Sequence, residues 1–425
     1  MRRWRTPVVG LVERVVPLPP LPQFRSAIRG PWLTSVFGAV LLVSLPVITV
    51  TGLLSYIAYG PEFGQARPGD VGWLRVPQFD WPTDPAWIYR LNQGLHVTLG
   101  IVVIPLVLAK LWSVMPKLVQ WPPVRSPAQA LERLSLLMLV GGVLFEIVTG
   151  VLNIQYDYVF GFDFYAAHYF GAWVFIAGFL AHVAVKVPVM WRTLRQTSLS
   201  EVLRERNRAA GVEPEHEQKA PDGISRRGAL ALVAGGSGLL AVLTIGQTID
   251  GPLRSTALLL PRGRSYGDGP NDFQVNRAAV AAGIDPASTG DSWRVELSGT
   301  TRVVLDRAAL EAMEQHTAVL PIACVEGWST TQEWTGVRLR DLAGLTGVSG
   351  GAATVVSLEQ GGAFAQATLA QNQVWHPDSL LALTVNGAAL SLDHGFPARV
   401  IVPGLPGVHN TKWVSRIDFA GGADR

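Results

Sequence analysis

The chain has 425 residues, of which 48% are hydrophobic and only 16% are charged, whereas soluble proteins carry about 25% charged residues. The formal net charge is only +3, and the basic residues cluster in a few loops. The composition therefore indicates a membrane protein of two or three domains and argues against a nucleic-acid-binding protein.

Five apolar segments occupy the first half of the chain, and each reaches the roughly 20 residues that cross a bilayer as a helix. They cover Trp32–Tyr59, Gln93–Met115, Leu134–Ile154, His168–Met190 and Gly228–Ile249. We therefore predict five transmembrane helices, with the lipid bilayer as a partner of the chain.

Basic residues set the predicted orientation. Arginine and lysine are concentrated in the first 31 residues, after the second apolar segment and after the fourth, whereas the loop from Tyr156 to Ala167 has none. By the positive-inside rule the N-terminus is cytoplasmic, and five spans then place the C-terminal domain outside. The predicted localisation is the cell membrane, with a multi-pass membrane part and the C-terminal domain on the extracytoplasmic side.

The fifth segment is preceded by two adjacent arginines, Arg226 and Arg227, in the sequence SRRGALALVAGGSG. Paired arginines before a mild, Gly/Ala-rich apolar run resemble a twin-arginine export signal. Such a signal implies that the twin-arginine export machinery moves the C-terminal domain after it has folded around a cofactor. The alternative is that the two arginines are ordinary cytoplasmic anchors.

Three histidines, His96, His168 and His182, lie within predicted spans. Ionisable residues inside a membrane are functional candidates. The orientation puts His96 and His168 at a similar depth near the outer surface on different helices, so they can be the axial ligands of one b-type haem. The alternative for each histidine is a hydrogen bond between helices.

His182 follows His168 by 14 residues, which places it ~21 Å deeper on nearly the same helix face. That spacing suits a second haem, but position 110 on the second span is Lys110. Glu146, inside the third span, is a candidate proton acceptor near a quinol site, or else a protonated packing residue.

The histidine pattern resembles the di-haem cytochrome b subunits of bacterial respiratory enzymes, such as the gamma subunit of formate dehydrogenase. The resemblance implies one haem b held by His96 and His168. A second haem, on His182, would need a ligand from the first helix, and the first span has no histidine.

From about Gly251 onward the pattern changes to short alternating segments. WRVELSGTTRVVLD is typical of a strand pair, and LLALTVNGAALSL places two apolar strands around Asn386-Gly387, a dipeptide that favours a type I′ hairpin. Leu339, Leu342 and Leu345 follow helical spacing. The outer domain is therefore predicted to be mostly β with a few helices.

Cys324, the single cysteine, follows an apolar strand-like run and precedes a polar loop. One cysteine cannot form a disulfide within the chain, a structural zinc cluster or an iron–sulfur site. It is either a small buried hydrophobe or a lone thiolate ligand of a cofactor held mainly by other groups.

A second segment, DHGFPARVIVPGLPGVHNTKWV, combines His394, Arg399, His409 and Lys412 with loop-forming prolines and glycines. Cations near a thiolate suit an anionic, phosphate-bearing cofactor.

The two segments together resemble the molybdenum domain of the sulfite oxidase family, over about residues 270–420. The matching motifs are CVEGWS followed by W-x-G-V-x-L-x-D-L, and DHGFPARVIVPG followed by KWV. The resemblance implies a molybdenum–molybdopterin cofactor, with Cys324 as the catalytic protein thiolate on the metal. The residues that it implies for the pterin or its phosphate are His394, Arg399 and Lys412, with Asn271 or Asn276 and Gln360.

Sulfite oxidases also place arginines near the metal-binding cysteine, whereas Val, Glu, Gly, Trp and Ser follow Cys324 here. The pattern is more similar to the bacterial periplasmic members, such as the methionine-sulfoxide reductase catalytic subunit.

The predicted fold is therefore multi-domain: an all-α transmembrane bundle of five spans followed by a mostly β, α+β domain of sulfite oxidase type. The predicted parts are a basic N-terminus (1–31), a four-helix cytochrome b domain (32–190), a cytoplasmic linker (191–227), a fifth helix (228–249) and an outer molybdopterin-binding domain (250–425).

The predicted function is a membrane-bound, molybdenum-dependent oxidoreductase that exchanges electrons between quinone or quinol and an extracytoplasmic small molecule through haem b. We expect reduction of an S- or N-oxide by oxygen-atom transfer. The alternatives are substrate oxidation that feeds quinone, a haem electron-transfer module with a non-catalytic outer domain, and a transporter or sensor with pH-tuned histidines.

Overall fold

The computed structural model describes residues 30–66, 68, 76–118, 126–154, 163–196, 226–249, 251–259, 267–362 and 365–421. These residues form a helical N-terminal part and a mostly β C-terminal part, which confirms that arrangement of the predicted fold. The predicted basic N-terminus and most of the predicted linker lie outside the described residues.

The helices of the N-terminal part overlap all five apolar segments. They are α1 (Pro31–Ala58), α2 (Ile88–Val102), α3 (Ile104–Leu118), α4 (Pro127–Asn153), α5 (Phe164–Gln196) and α6 (Arg226–Ile245). By length and composition α1, α4, α5 and α6 could each cross a membrane, and α2 with α3 could form a fifth span.

The second predicted span is a bent pair, because α2 and α3 meet at an angle of 41°. The break falls at Val103, two residues before Pro105. Proline has no N–H to donate to the carbonyl four residues earlier, which is a common cause of such a bend.

Glycines let α4 and α5 approach each other closely. A Cβ at Gly178 would lie 2.6 Å from the backbone nitrogen of Leu139, and one at Gly142 would lie 2.9 Å from Cα of Phe175. Close contact at small residues is typical of helix packing in membranes, and α4 and α5 pack closely in this way.

The outer domain is built from two sheets. Its strands are β1 (Val295–Ser298), β2 (Arg302–Leu305), β3 (His316–Ala323), β4 (Ser329–Arg338), β5 (Ala353–Ser357), β6 (Gln366–Leu369), β7 (Leu380–Val385), β8 (Ala388–Ala389), β9 (Arg399–Ile401) and β10 (Val414–Phe419). One sheet has the order β2-β1-β10-β5-β6, and the other has β3-β4-β7-β8 with β9 also paired to β7. The short helices are α7 (Arg307–Glu311), α8 (Leu339–Leu345) and α9 (Gln371–Val374).

Local predictions in this domain are confirmed. Asn386 and Gly387 have φ of 52° and 78° between the antiparallel strands β7 and β8, as a type I′ turn requires. Leu339 and Leu342 are buried on α8, and β1 pairs antiparallel with β2.

The two parts of the chain contact each other directly. Gln65, just beyond α1, donates from Nε2 to the carbonyl of Thr368 (3.1 Å) and accepts from the Thr368 amide (2.6 Å). Trp81 Nε1 donates to the carbonyl of Gly404 (2.8 Å). The segment between α1 and α2 therefore lies against the β domain.

Candidate functional site

Cys324 stands directly after β3 and begins a tight turn, residues 324–329, which we call the Cys324 loop. The Cys324 amide donates to the Trp328 carbonyl (2.9 Å), and the Gly327 amide donates to the Cys324 carbonyl (3.0 Å). Gly327 has φ of +90°, a conformation that favours glycine. Cys324 itself is half-buried, at the edge of a hydrophobic cluster and not within it.

Two buried cations, Arg399 on β9 and Lys412, interact with each other, and Lys412 also interacts electrostatically with this thiol. Arg399 is 2% exposed and Lys412 is 5% exposed. Burial lowers the pKa of Arg399 to about 9. Burial, and then the charge of Arg399, also lowers the pKa of Lys412, which interacts electrostatically with Cys324. Lys412 Nζ donates to the carbonyls of Arg277 (2.8 Å) and Asp393 (2.6 Å).

Buried cations without a close anion are costly. Among the described residues, neither Arg399 nor Lys412 forms an ion pair with a carboxylate. A bound anionic group, such as the phosphate of a cofactor, would offset that cost, because guanidinium and ammonium groups are the usual partners of phosphate.

His394 lies beside these cations with its ring stacked on Phe273, at a centroid distance of 3.7 Å. Its Nε2 donates to the Asn271 carbonyl (2.9 Å). Burial, followed by the charges of Arg399 and Lys412, lowers the pKa of His394 to about 3. The ring is therefore neutral near pH 7, and its buried, unpartnered Nδ1 is an acceptor that faces no donor of the described chain.

Other buried polar atoms around this region also lack partners among the described residues. They are Nε2 and Oε1 of Gln274, Nε of Arg277, Oε2 of Glu359, Nε of Arg399, Nδ2 of Asn410 and Oγ1 of Thr411. Buried polar groups are normally hydrogen-bonded. Such a group of donors and acceptors fits a polar, multidentate ligand such as a pterin with its phosphate.

The other predicted cofactor residues differ in their surroundings. The Asn271 side chain holds the backbone of the β7–β8 hairpin, donating to the Ala389 carbonyl (3.0 Å) and accepting from the Ser391 amide (2.8 Å). Asn276 Oδ1 accepts from the amide of Arg277 (3.0 Å). Gln360 is exposed. The sequence analysis did not identify Gln274, Asn410 or Thr411, although the last two directly precede Lys412 in the motif HNTK.

Residues of α2 and of the segment after α6 contact the Cys324 loop. Gln93 on α2 donates from Nε2 to the Val325 carbonyl. Thr248, just after α6, donates from Oγ1 to the Gly327 carbonyl (2.7 Å), and the amide of Ser329 donates to the carbonyl of Gln247 (2.9 Å). Nothing in the sequence pattern signals these contacts.

Two tyrosines complete this side of the site. Tyr59 and Tyr89, at the outer ends of α1 and α2, are within electrostatic range of Cys324. Tyr59 also packs edge-on against His409, with ring centroids 5.7 Å apart. The thiol is therefore within electrostatic range of Lys412 in the C-terminal part and of two phenols in the helical part.

The structure brings His96 and His168 together, with ring centroids 6.1 Å apart and ring planes at 88°. His96 Nδ1 donates to the carbonyl of Ile48 (2.9 Å). His168 Nδ1 lies 2.9 Å from Oγ1 of Thr149 and 3.2 Å from Oε2 of Glu146. Both Nδ1 atoms are thus engaged, which is how metal-ligating histidines are usually oriented, and both Nε2 atoms can bind a metal.

Glycines make room for both rings. A Cβ at Gly52 would lie 2.8 Å from Cε1 of His96, and one at Gly150 would lie 3.4 Å from Cε1 of His168. Glu146, the candidate proton acceptor or packing residue of the third span, contacts His168 (3.2 Å).

His182 lies away from this pair, near the charges of Lys110, Lys186 and Glu132. Lys110 Nζ donates to the carbonyl of Thr34 on α1. In the described part of the chain no second histidine faces His182, so the structure gives a second haem no additional support.

Comparisons with known proteins identify relatives of the C-terminal part. Residues 282–423 match the family described as "Oxidoreductase molybdopterin binding domain". The nitrate reductase [NAD(P)H] of Hordeum vulgare is 32% identical over 38% of this chain and 21% of its own length. The sulfite oxidase of Arabidopsis thaliana is 37% identical over 20% of this chain and 25% of its own length.

A solved structure, the sulfane dehydrogenase SoxCD of Paracoccus pantotrophus, aligns with 38% of this chain and 43% of its own chain, at 21% identity and a TM-score of 0.28. The chain spans only a fifth to a quarter of the length of the two curated relatives above.

The site and the matches define the class: the C-terminal part is a molybdopterin-binding oxidoreductase domain, homologous to sulfite oxidase and nitrate reductase. The predicted enzyme class is thereby confirmed. The residues present fit the cofactor: Cys324 would hold the metal, Arg399 and Lys412 would hold the phosphate, and His394 would accept a hydrogen bond from the pterin.

Proposed function

We propose that this protein is a membrane-bound molybdenum enzyme that carries its own cytochrome b. A quinol in the bilayer would reduce a haem held by His96 and His168. The haem would pass electrons to the cofactor on Cys324, which would reduce a small S- or N-oxide outside the membrane. A twin-arginine route would export the outer domain.

The observation that carries this proposal is the pair of facing histidines, His96 and His168. Metal–imidazole bonds are about 2 Å long, so an iron between two ring nitrogens separates the ring centroids by about 6 Å. The observed separation is 6.1 Å. Helical bundles supply axial haem ligands from facing helices in this way.

The proposed haem site and Cys324 site are joined by one helix. Gln93, which bonds to the Cys324 loop, precedes His96 by three residues, so both side chains lie on the same face of α2. Two cofactors bound to this chain would therefore lie close together, which supports electron transfer between them.

The overall reaction is balanced. The oxide accepts two electrons and two protons and releases its oxygen as water, while one quinol gives up two electrons and two protons and becomes quinone. When bound, the molybdenum cofactor supplies a two-electron centre that can exchange an oxygen atom with the substrate.

The chain's own residues would bind and orient the cofactor and compensate its charge. Cys324 fixes the metal side of the cofactor, and Arg399 with Lys412 compensates its negative charge. The Glu326 carboxylate accepts a hydrogen bond from Trp328 Nε1 (2.8 Å), which braces the Cys324 loop.

Elemental analysis of the detergent-purified full chain, together with its absorbance spectrum, tests the proposal. We expect one molybdenum and one iron per chain, and a reduced spectrum typical of haem b with two imidazole ligands. His96→Leu or His168→Leu should remove the iron, whereas His182→Leu should not. Iron that persists in both His96→Leu and His168→Leu would contradict the proposed haem site.

The direction of electron flow needs a second measurement. Quinol-reduced haem should be reoxidised by dimethyl sulfoxide, methionine sulfoxide or trimethylamine N-oxide. Reduction of oxidised haem by sulfite, with none of these oxides effective, would favour substrate oxidation instead.

A further inference from the structure

One turn of α2, from Gln93 to Val97, lies directly against the Cys324 loop. The Gln93 amide donates to the carbonyl of Val325. A Cβ at Gly327 would lie 2.8 Å from the Cβ of Val97, so that side chain touches the loop as well. His96 lies between these two residues on the same turn.

Gln93 is only 3% exposed, and its Oε1 has no hydrogen-bond partner among the described residues. The Nε2 atom of the same amide donates to the carbonyl of Val325, the residue after Cys324. This hydrogen bond joins the helix that carries His96 to the loop that carries Cys324.

We propose that Gln93 is the electron bridge between the haem ligand His96 and the metal ligand Cys324. This inference rests on the proposed function, because it needs both cofactors. The path runs from His96 along the α2 backbone to Gln93, then through its Nε2–H to the Val325 carbonyl and on to Cys324. Each transfer oxidises haem iron from Fe(II) to Fe(III) and delivers one electron, and two transfers match the two electrons that one oxide consumes.

Thr248 provides a matched comparison. It also donates to the Cys324 loop, at the carbonyl of Gly327 (2.7 Å), but it follows α6, which has no histidine. If hydrogen bonds from the membrane part merely position the loop, losing Thr248 and losing Gln93 should have similar effects. If Gln93 carries electrons, only its loss should slow transfer.

The experiment uses full-length protein loaded with both cofactors, as Gln93→Leu, Thr248→Val and, as a control, Gln65→Leu. Gln65 forms two hydrogen bonds to Thr368 across the same interface, far along the chain from the Cys324 loop. A laser flash with a photoexcited flavin reduces the haem, and absorbance follows the electron as it leaves. No substrate is required.

Gln93→Leu should slow haem reoxidation roughly tenfold or more, equivalent to about 1.4 kcal/mol in the barrier. Molybdenum and haem contents and the haem midpoint potential should stay unchanged, the melting temperature should fall no further than in Thr248→Val, and oxide reduction driven by reduced methyl viologen should be retained. Thr248→Val and Gln65→Leu should transfer electrons at nearly the wild-type rate.

Equal slowing in Gln93→Leu and Thr248→Val would overturn the bridge and leave loop positioning as the explanation. An unchanged rate in Gln93→Leu would overturn it as well, as would wild-type protein that binds no haem. Flash-driven transfer that is fast in the wild type and slow in Gln93→Leu would uphold the bridge even if no oxide is reduced, so the two proposals fail separately.

Discussion

His394 should make the outer domain sensitive to acid. Its pKa is lowered to about 3 by burial and by the charges of Arg399 and Lys412, whereas an unfolded histidine titrates near 6.5. Between these values the unfolded chain binds a proton that the folded chain does not. Stability is therefore complete above pH 6.5 and falls as the pH is lowered toward 3.

The size of the effect follows from the two pKa values. A pH of 4.5 lies about two units below the pKa of the unfolded histidine but above that of the folded one. Protonation of the unfolded chain therefore lowers the free energy of unfolding by about 2.7 kcal/mol. For a domain of this size, that loss lowers the melting temperature by roughly 5–11 °C.

The assay is calorimetry of the cofactor-free full chain in detergent, with the outer-domain transition compared at pH 7.5 and 4.5. His394→Gln removes the titration and has a side chain that can still donate to the Asn271 carbonyl. Its acid-induced fall should be smaller than the wild-type fall by about 2.7 kcal/mol. Buried His409, whose pKa is lowered to about 4, should produce the residual fall in both proteins. An identical fall in wild type and His394→Gln would refute the neutral, buried state of His394.

Further predictions concern the same site. Cys324→Ser should lose molybdenum-dependent turnover but keep the haem spectrum, and retained turnover would remove Cys324 as the metal ligand. Arg399→Met should raise the stability of the cofactor-free protein by about 1–3 kcal/mol, because a buried charge without an ion pair is removed. Molybdenum analysis of Arg399→Met and of Lys412→Met should show less bound cofactor, and an unchanged content would contradict the phosphate role. Gly327→Ala should lower stability by about 1–3 kcal/mol, since φ is +90° and the new Cβ would lie 2.8 Å from Nε2 of Gln247; a melting temperature equal to wild type would contradict this.

Features written locally in the sequence could be predicted. The length of the apolar segments predicted the long helices, and the dipeptide Asn386-Gly387 predicted the hairpin. Both features depend on short-range backbone and solvation effects. The proximity of His96 and His168 followed from helix orientation and depth alone. The bend at Val103 was missed, although Pro105 signals it.

Contacts between distant parts of the chain could not be predicted. Gln93 and Val325 are separated by 232 positions, and no periodicity links an amide on a membrane helix to a loop carbonyl in a β domain. Asn271 or Asn276 was expected to contact the pterin, and no sequence pattern indicated that the Asn271 side chain would also bond to backbone groups of the hairpin. Which of several polar side chains faces a ligand is decided by packing, and packing is not visible in a single sequence.

The most direct test of the account is a stopped-flow experiment in which quinol-reduced protein is mixed anaerobically with methionine sulfoxide. The account predicts that wild-type haem is reoxidised and that haem in Cys324→Ser stays reduced, with water and the sulfide as products. Haem reoxidation at the same rate in both proteins would show that electrons leave the haem without passing through Cys324, and would contradict the central claim.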